Sequence, residues 1–487
     1  MIVRWTSRDG EALRAPYVIR YVIRVNAGSL CGGVLTPGLS AGLPRGLPKW
    51  PWVSWGFDMA HSALSLAASG LPLAPAAKSA NLYARRAEVQ WQTRHNRVVC
   101  QRLKRNSEGA VTDPTAPGAS VLPSPPAPES ITFPLGWLLS NAAVPIQYRA
   151  SLEVARIPVG EQSGFASLPY TFRPAVLLAL TQASDGTWGN GMLSVPSSRA
   201  ERFQGIGTIT AVRRLVEWGW SKESPPIAQA RRTMFRLLAQ DDDPNYLFEL
   251  APRGRPDREV VRHGREVLRE AAAAALSQAG YEQDPRLRGA ARRMLERVDR
   301  YLRSPQHEKP FVRVGNSHVL APGSAPPSIY FLAMLAEMPH FRSEHYDAME
   351  RLYAHLTQPQ PRSDAASVVA GKVVLEPHLV LGDPLPHRTA ADADLPATLY
   401  WLELFARLGI LQRNEGWSRL YERLLEDCDA EGVWRMPKRS VTTRSSNPFV
   451  WPGFPLDPRG TADALSADVT FRLGLIGRYS GRPVDVG

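Results

Sequence analysis

From Ile131 onward the chain carries runs of 14 to 20 residues in which apolar positions recur three and four apart, separated by short breaks rich in Gly, Pro and Asp. That spacing is the period of amphipathic helices with defined ends. Gly207–Trp220 puts Ile209, Val212, Leu215, Val216 and Trp218 on one face, and Ile227–Gln240 follows across Ser224, Pro225 and Pro226. Proline at a helix start lacks only an N–H that would be orphaned anyway, so the two segments read as one helical hairpin. The unit recurs as Val261–Ala279 with Arg286–Leu302, Ser328–Met338 with Ser343–Leu356, and Leu395–Leu408 with Glu415–Cys428. Leu135–Val154 and Arg173–Gln182 form a further pair upstream, and Thr461–Tyr479 is a closing helix. Only Val368–Val380 reads as a short strand pair. The expected class is all-α, with five to six hairpins stacked as an open solenoid or curled into a closed ring.

Residues 1 to 130 lack this texture. They show no sustained period, and Pro114, Pro117, Pro123, Pro125, Pro126 and Pro128 make their last part an extended linker. They also carry 15 Lys+Arg against 7 Asp+Glu, so +8 of the net +12 lies here and the hairpin region is nearly neutral. The arginines are too dispersed for a compact nucleic-acid patch, and no nucleic-acid partner is expected. The segment reads as a disordered basic, proline-rich extension or as a start placed too early. Arginines interrupt every apolar run up to Arg24, which argues against a signal peptide. The most apolar run, Ala63–Ala77, is broken by Pro72 and Pro75, so no membrane span is expected. Three cysteines, Cys31, Cys100 and Cys428, have no metal-type spacing and suit a reducing, cytoplasmic setting. The oligomeric state is left open.

The breaks between hairpins hold a recurring pattern. Gln182, Gly186 and Trp188 follow a helix as Q-x3-G-x-W, and Cys428 with Gly432 and Trp434, and Gln240 with Pro244 and Tyr246, echo the frame. A glutamine at a helix end can bond orphan backbone groups, a glycine permits the turn, and a flat aromatic packs on the next helix. These residues are expected to be structural. The pattern resembles the QW repeat of the squalene–hopene cyclase and prenyltransferase superfamily, and Asp394–Tyr400 followed by Leu402, Leu404 and Leu408-Gly409 is similar to that family's inner helices. The resemblance spans roughly residues 131 to 480. It implies an α/α toroid with a central cavity for an apolar or isoprenoid-like molecule.

The family's chemistry is less complete than its scaffold. Its D-x-D-D proton donor, which needs neighbouring carboxylates tuned apart, is reduced to Asp392-Ala393-Asp394. Asp241-Asp242-Asp243 lacks the spacing of a magnesium-diphosphate motif, and Cys428 has no histidine nearby to build a zinc site. No cofactor and no metal are implied. The expectation is neither protonation-initiated cyclisation nor diphosphate ionisation. The most polar stretch, with Glu376, His378, Asp383, His387, Asp392 and Asp394, leads into an inner helix and is either a solvated loop or the rim of a cavity. On the second view Asp392, Asp394 and His387 are the candidate catalytic groups. His378, Arg444, Trp451 and Phe454 are candidate ligand contacts, with His318, Asn316 and Asn447 near the same rim. Two other classes compete: a carbohydrate-active (α/α) barrel hydrolase or lyase with paired carboxylates, and a non-catalytic helical-repeat interaction protein.

Overall fold

The computed structural model describes residues 130–157, 165–189, 191–197, 200–239 and 257–487. The expectations for residues 1 to 129, the aspartates 241–243 and the Gln240, Pro244, Tyr246 echo therefore lie outside the described residues. What is described is mostly helical: α1 (Leu135–Asn141), α2 (Val144–Arg149), α3 (Arg173–Leu180), α4 (Thr208–Glu217), α5 (Pro225–Leu238), α6 (Arg258–Gln278), α7 (Pro285–Leu302), α8 (Pro305–Glu308), α9 (Ile329–Ala336), α10 (Pro339–Glu344), α11 (Tyr346–Leu356), α12 (Ala390–Ala393), α13 (Leu395–Leu408), α14 (Glu415–Leu425) and α15 (Ala462–Tyr479). The expected hairpins are present within a few residues of their predicted limits. Two helices were expected whole and are divided. Leu135–Val154 breaks at Ala142 and restarts with Pro145 in the first turn of α2, which runs on as a π-helical turn, Ala150–Val154. Ser343–Leu356 is interrupted at His345.

Capping side chains set many of the starts. Asp257, Asp284, Ser328, Asp394, Asn414 and Thr461 each accept a backbone N–H from the first turn of the helix that follows, satisfying one of its orphan donors. Glycine at the end of α13 takes φ 75°, the left-handed conformation that stops a helix.

Strands were under-read. The expected pair is present as β4 (Ala366–Val369) against β5 (Lys372–Leu375), but a second hairpin, β2 (Phe311–Val314) with β3 (Ser317–Leu320), stands before it. In addition β1 (Ile131–Phe133) pairs in parallel with β6 (Val484–Val486), which sets the start of the hairpin region beside its end.

Within each pair the two helices differ. Residues Ala271–Ser277 of α6, nearly all of α9, and Ser466–Gly477 of α15 are buried on every side, whereas α5, α7, α11 and α14 bury one face. The fully buried helices touch in succession: α4 packs on α6, α6 on α9, α9 on α13, α13 on α15, and α15 on the π turn after α2. The alanine run Ala271–Ala275 lets α6 approach α9 closely, and this is the most extensive helix contact.

The two repeat turns are built alike. Gln182 donates Nε2 to the carbonyls of Gly186 (3.0 Å) and Pro226 (2.8 Å). Gly186 has φ 85°, and a Cβ there would lie 2.9 Å from the backbone of Gln229. Trp188 is buried, its indole N–H donates to Leu178 O (2.9 Å), and its backbone N–H donates to the Thr208 hydroxyl (3.0 Å). Around the second turn Gly432 has φ 84° against the backbone of Thr132, Trp434 is buried, and its backbone N–H donates to the Thr470 hydroxyl (2.9 Å). In both turns a tryptophan backbone is pinned to a threonine of a fully buried helix.

Candidate functional site

Helices α4, α6, α9, α13 and α15 each turn one face toward a common pocket. Arg213 and Glu217 come from α4, Ala274 and Gln278 from α6, Ala333 and Ala336 from α9, with Glu337 at its end. Leu399, Tyr400, Glu403 and Arg407 come from α13, and Arg472 from α15; Val450, Gly453 and Phe454 complete the wall. The spacing on α13 is three and four residues, one face of a helix. The pocket extends over about 600 Å³ out to solvent, but the space left free inside it is about 50 Å³, room for about four waters.

Charge fills the rest. Arg149, at the end of α2, reaches Glu217 (2.5 Å) and Glu153 (2.5 Å). Arg472 bridges Glu217 (3.0 Å) and Glu403, and Arg407 bridges Glu403 (2.9 Å) and Glu337 (3.1 Å). Burial alone would raise each carboxylate. For Glu217 the guanidinium groups of Arg149 and Arg472 outweigh it and bring the carboxyl down to about 2; for Glu403, Arg472 and Arg407 do the same and lower it. Glu337 goes the other way: burial raises it, Arg407 offsets that only in part, and Glu403 and Glu217 push it further up. One pocket thus holds one carboxyl pulled down and one pushed up on either side of one guanidinium, the divergence that separates base from acid. Behind this cluster Asp468 is fully buried, and burial raises its carboxyl to about 6 against the pull of Arg472. Arg214 lies between the rings of Trp218 (4.5 Å) and Trp451 (5.0 Å).

Most of the residues singled out in the sequence stand elsewhere. Asp394 caps α13 through Ala397 N (2.9 Å) and accepts the Ser445 hydroxyl (2.6 Å), so both its oxygens are engaged. Asp392 is clamped by Arg423 (2.5 Å) and Arg439 (2.7 Å); burial raises its carboxyl, but the hydrogen bonds from Arg439 and Arg423 prevail and hold it below the usual range. His387 and Arg444 are exposed. None of Asp392, Asp394, His387 and Arg444 lines the central pocket. Asp383 accepts the Trp417 indole N–H (2.9 Å), and Asn447 accepts Phe449 N (2.9 Å). His318 and Asn316 are exposed at the β2–β3 hairpin. Phe454 does line the pocket, and Trp451 supports it through Arg214.

Glu376 and His378 form a second cluster, with residues that the sequence reading did not select. Glu376 is almost wholly buried, 2.9 Å from His263 Nε2 and 3.6 Å from His378 Nδ1. Glu270, one turn along α6 from the same wall, is bonded by Arg297 and by the Ser328 hydroxyl. Glu376, His378, His263, Glu270 and Arg297 line a pocket of about 130 Å³ that shares no residue with the central one.

The central groups had a sequence signal. Arg149/Glu153, Arg213/Glu217, Glu403/Arg407 and Asp468/Arg472 are each opposite charges four residues apart, three of them inside otherwise apolar helices. Such a pair on an amphipathic helix is a surface bridge; on a helix apolar all round it marks a polar interior. Among the described residues no group of three His, Cys, Asp or Glu is arranged to hold a metal ion, and no helix is long and apolar enough to cross a membrane. Compared with known proteins, the chain matches no family model and no curated sequence.

Proposed function

We propose that residues 131 to 487 form an α/α toroid whose centre takes one end of a small hydrophilic molecule, a sugar or polyol, with Glu337 as proton donor and Glu403 as its ionised partner. Support for the ring is the succession of contacts from α4 to α15 and back to the turn after α2, together with the β1–β6 pairing. Such a ring is the scaffold that the resemblance to squalene cyclases and prenyltransferases implies. The observation that carries the ligand class is the presence of six charged side chains, Arg213, Glu217, Glu337, Glu403, Arg407 and Arg472, among the apolar residues of the wall, where an isoprenoid chamber needs apolar and aromatic groups throughout. A farnesyl chain placed there would bury its methylenes against ions that are already paired. Hydroxyl groups, by contrast, can share the free acceptor sites of Glu337 and Glu403 and the donors of Arg213 and Arg407. This favours a carbohydrate-active (α/α) barrel over an isoprenoid binder. We keep the cytoplasmic setting, on the scattered cysteines alone.

The test sets the two ligand classes side by side. Thermal shift and product analysis would be run with a panel of glycosides and polyols, and in parallel with farnesyl diphosphate, farnesol and squalene. The expected result is stabilisation by a hydrophilic member, with any turnover abolished in Glu337→Gln while binding persists. Stabilisation by the isoprenoids alone, or turnover of any of them, would overturn the reading.

A further inference from the structure

The pocket around Glu376 has a charge balance unlike that of the centre. Its wall holds three carboxylates, Glu266, Glu270 and Glu376, and one guanidinium, Arg297. Glu266 is about half exposed and solvated, and Arg297 is bonded to Glu270. That leaves Glu376, with 2% of its side chain exposed, as a buried carboxylate with no guanidinium or ammonium partner among the described residues. Its neighbours are imidazoles. His263 Nε2 stands 2.9 Å from Oε1, yet that oxygen receives no well-directed hydrogen bond, and His378 Nδ1 stands 3.6 Å from Oε2. A buried carboxylate left without a positive partner is expensive by several kcal/mol. One unit of positive charge completes this site, and the proton on His263 supplies it.

We propose that this pocket binds a small primary ammonium group, which takes the place of the His263 proton, with Glu376 as its counter-ion and His378 as a second acceptor. The class follows from three features. The sign is set by Glu376, whose one source of positive charge at contact distance is a titratable imidazole. The size is set by a pocket of about 130 Å³, open to solvent on one side, which admits a short aliphatic amine. Donor count is set by the wall: an ammonium has three N–H donors, and the carboxylate of Glu376, the His378 ring and the Ser324 or Ser367 hydroxyl are the acceptors within it. His378 is suited to accept, because burial lowers it and keeps the ring neutral, against the pull of Glu376 and Glu270. An anion is disfavoured, since it would meet Glu270 and Glu376 together with only Arg297 in its support.

Exchange of a proton for a cation has a measurable signature. The Glu376 carboxylate beside it raises His263, so the proton leaves only above the ordinary imidazole range. The groups facing His263 are Glu376 and His378 from the segment after β5 and Glu259 and Glu266 on α6, while Glu270 on α6 and Arg297 on α7 face His378. Ammonium entry should displace the proton, and affinity should rise as the pH rises from 6 to 8.

The experiment is titration calorimetry of the full chain with 1-butylamine and 1,4-diaminobutane, in two buffers of different ionisation enthalpy, with 1-butanol as the neutral control. Saturable amine binding with proton release is expected, weakened at least tenfold in Glu376→Gln. Because Glu376→Gln leaves a buried amide and can fail to fold, His263→Gln serves as the second variant. It removes the competing proton, so binding should persist with its pH dependence lost. Equal binding of butanol, amine binding without proton release, or an unchanged pH dependence in His263→Gln would each overturn the proposal. So would stabilisation by zinc alone, reversed by a chelator, with no response to either amine.

Discussion

The central pocket and the Glu376 pocket are both built of buried charge, and they differ in bookkeeping. At the centre Glu217, Glu403 and Glu337 each touch a guanidinium, and Arg472 and Arg407 each touch two of them. In the other pocket the most buried carboxylate has only imidazoles beside it. Paired charge ties helices that are distant in sequence, because breaking the bridges to Glu217 or Glu403 strands a buried ion. Unbalanced charge invites a ligand. The first arrangement explains how five apolar helices meet around an ion cluster without collapsing it; the second marks where the molecule still has something to bind.

The sharpest way to break this comparison is to remove the shared cation. Arg472 lies on α15, bonds Glu217 of α4 and Glu403 of α13, and donates to Gly453 O (2.5 Å). Arg472→Met keeps much of the stem but leaves two carboxylates short of a partner, so a loss of about 3 to 5 kcal/mol is expected. Denaturant unfolding measures it. A loss below about 1 kcal/mol would mean that the cluster is solvated and is not a lock.

Acid probes the same cluster without changing its shape. Glu217 is held down to about 2, below its ordinary 4.5, so its contribution is present above pH 4.5 and is lost as the pH falls through 2. Over that span the loss is on the order of 3 kcal/mol. Asp468 acts with the opposite sign: raised to about 6, it takes a proton more readily in the fold, so acidification from 6 toward 3.8 favours the native state. The measurement is therefore a difference. Glu217→Gln should be less stable than the parent at pH 7, and the gap should close between pH 4.5 and 2. A gap independent of pH would place the cost in packing rather than in charge.

How much of this was legible follows from which residues carry it. Helical pairs were readable because burial of one face repeats every three or four residues, and Gly186 and Trp188 were readable because a turn and a flat aromatic leave a fixed spacing. The β1–β6 pairing was not, since Ile131–Phe133 and Val484–Val486 are three residues each and their partner lies some 350 positions away. The β2–β3 hairpin did leave a trace in Gly315-Asn316, a two-residue turn between short β-branched runs that a helix-period reading does not weigh. For the site, the polar loop drew attention through its density of His and Asp, yet that density does not separate its ends: Glu376 and His378 are buried in the second pocket, while Asp392 and Asp394 hold arginines and a helix start. The buried charges are sparse, one or two per helix, and become visible only when the helix around them is known to be apolar on all sides.

The two repeat turns offer a finer test, since they share a frame and their tryptophans differ in the indole bond. Trp188 donates its indole N–H to Leu178 O (2.9 Å), whereas the Trp434 indole N–H has no partner among the described residues. Trp188→Phe loses a hydrogen bond and leaves a buried carbonyl; Trp434→Phe relieves an unpaired donor. The first should cost about 1 kcal/mol more than the second. Equal losses would show that the turns are held by ring packing alone and that the indole bond at Trp188 is incidental.

The smallest effect on stability is expected at Glu337, and there the two properties of the centre separate. Its side chain is the most exposed of the three carboxylates that line the pocket, and Arg407, its one guanidinium partner, is also bonded to Glu403. Glu337→Gln keeps an oxygen for Arg407 and removes a carboxyl that burial inclines to carry a proton, so stability should change by less than about 1 kcal/mol. A proton donor cannot be replaced so quietly. If a glycoside is turned over at all, its rate should fall about 10² to 10⁴-fold in this variant, and should be largely restored by Glu337→Asp if proton supply is the lost property. A rate unchanged in Glu337→Gln, with stability equally unchanged, would leave the lock intact and remove the centre as the place where chemistry occurs.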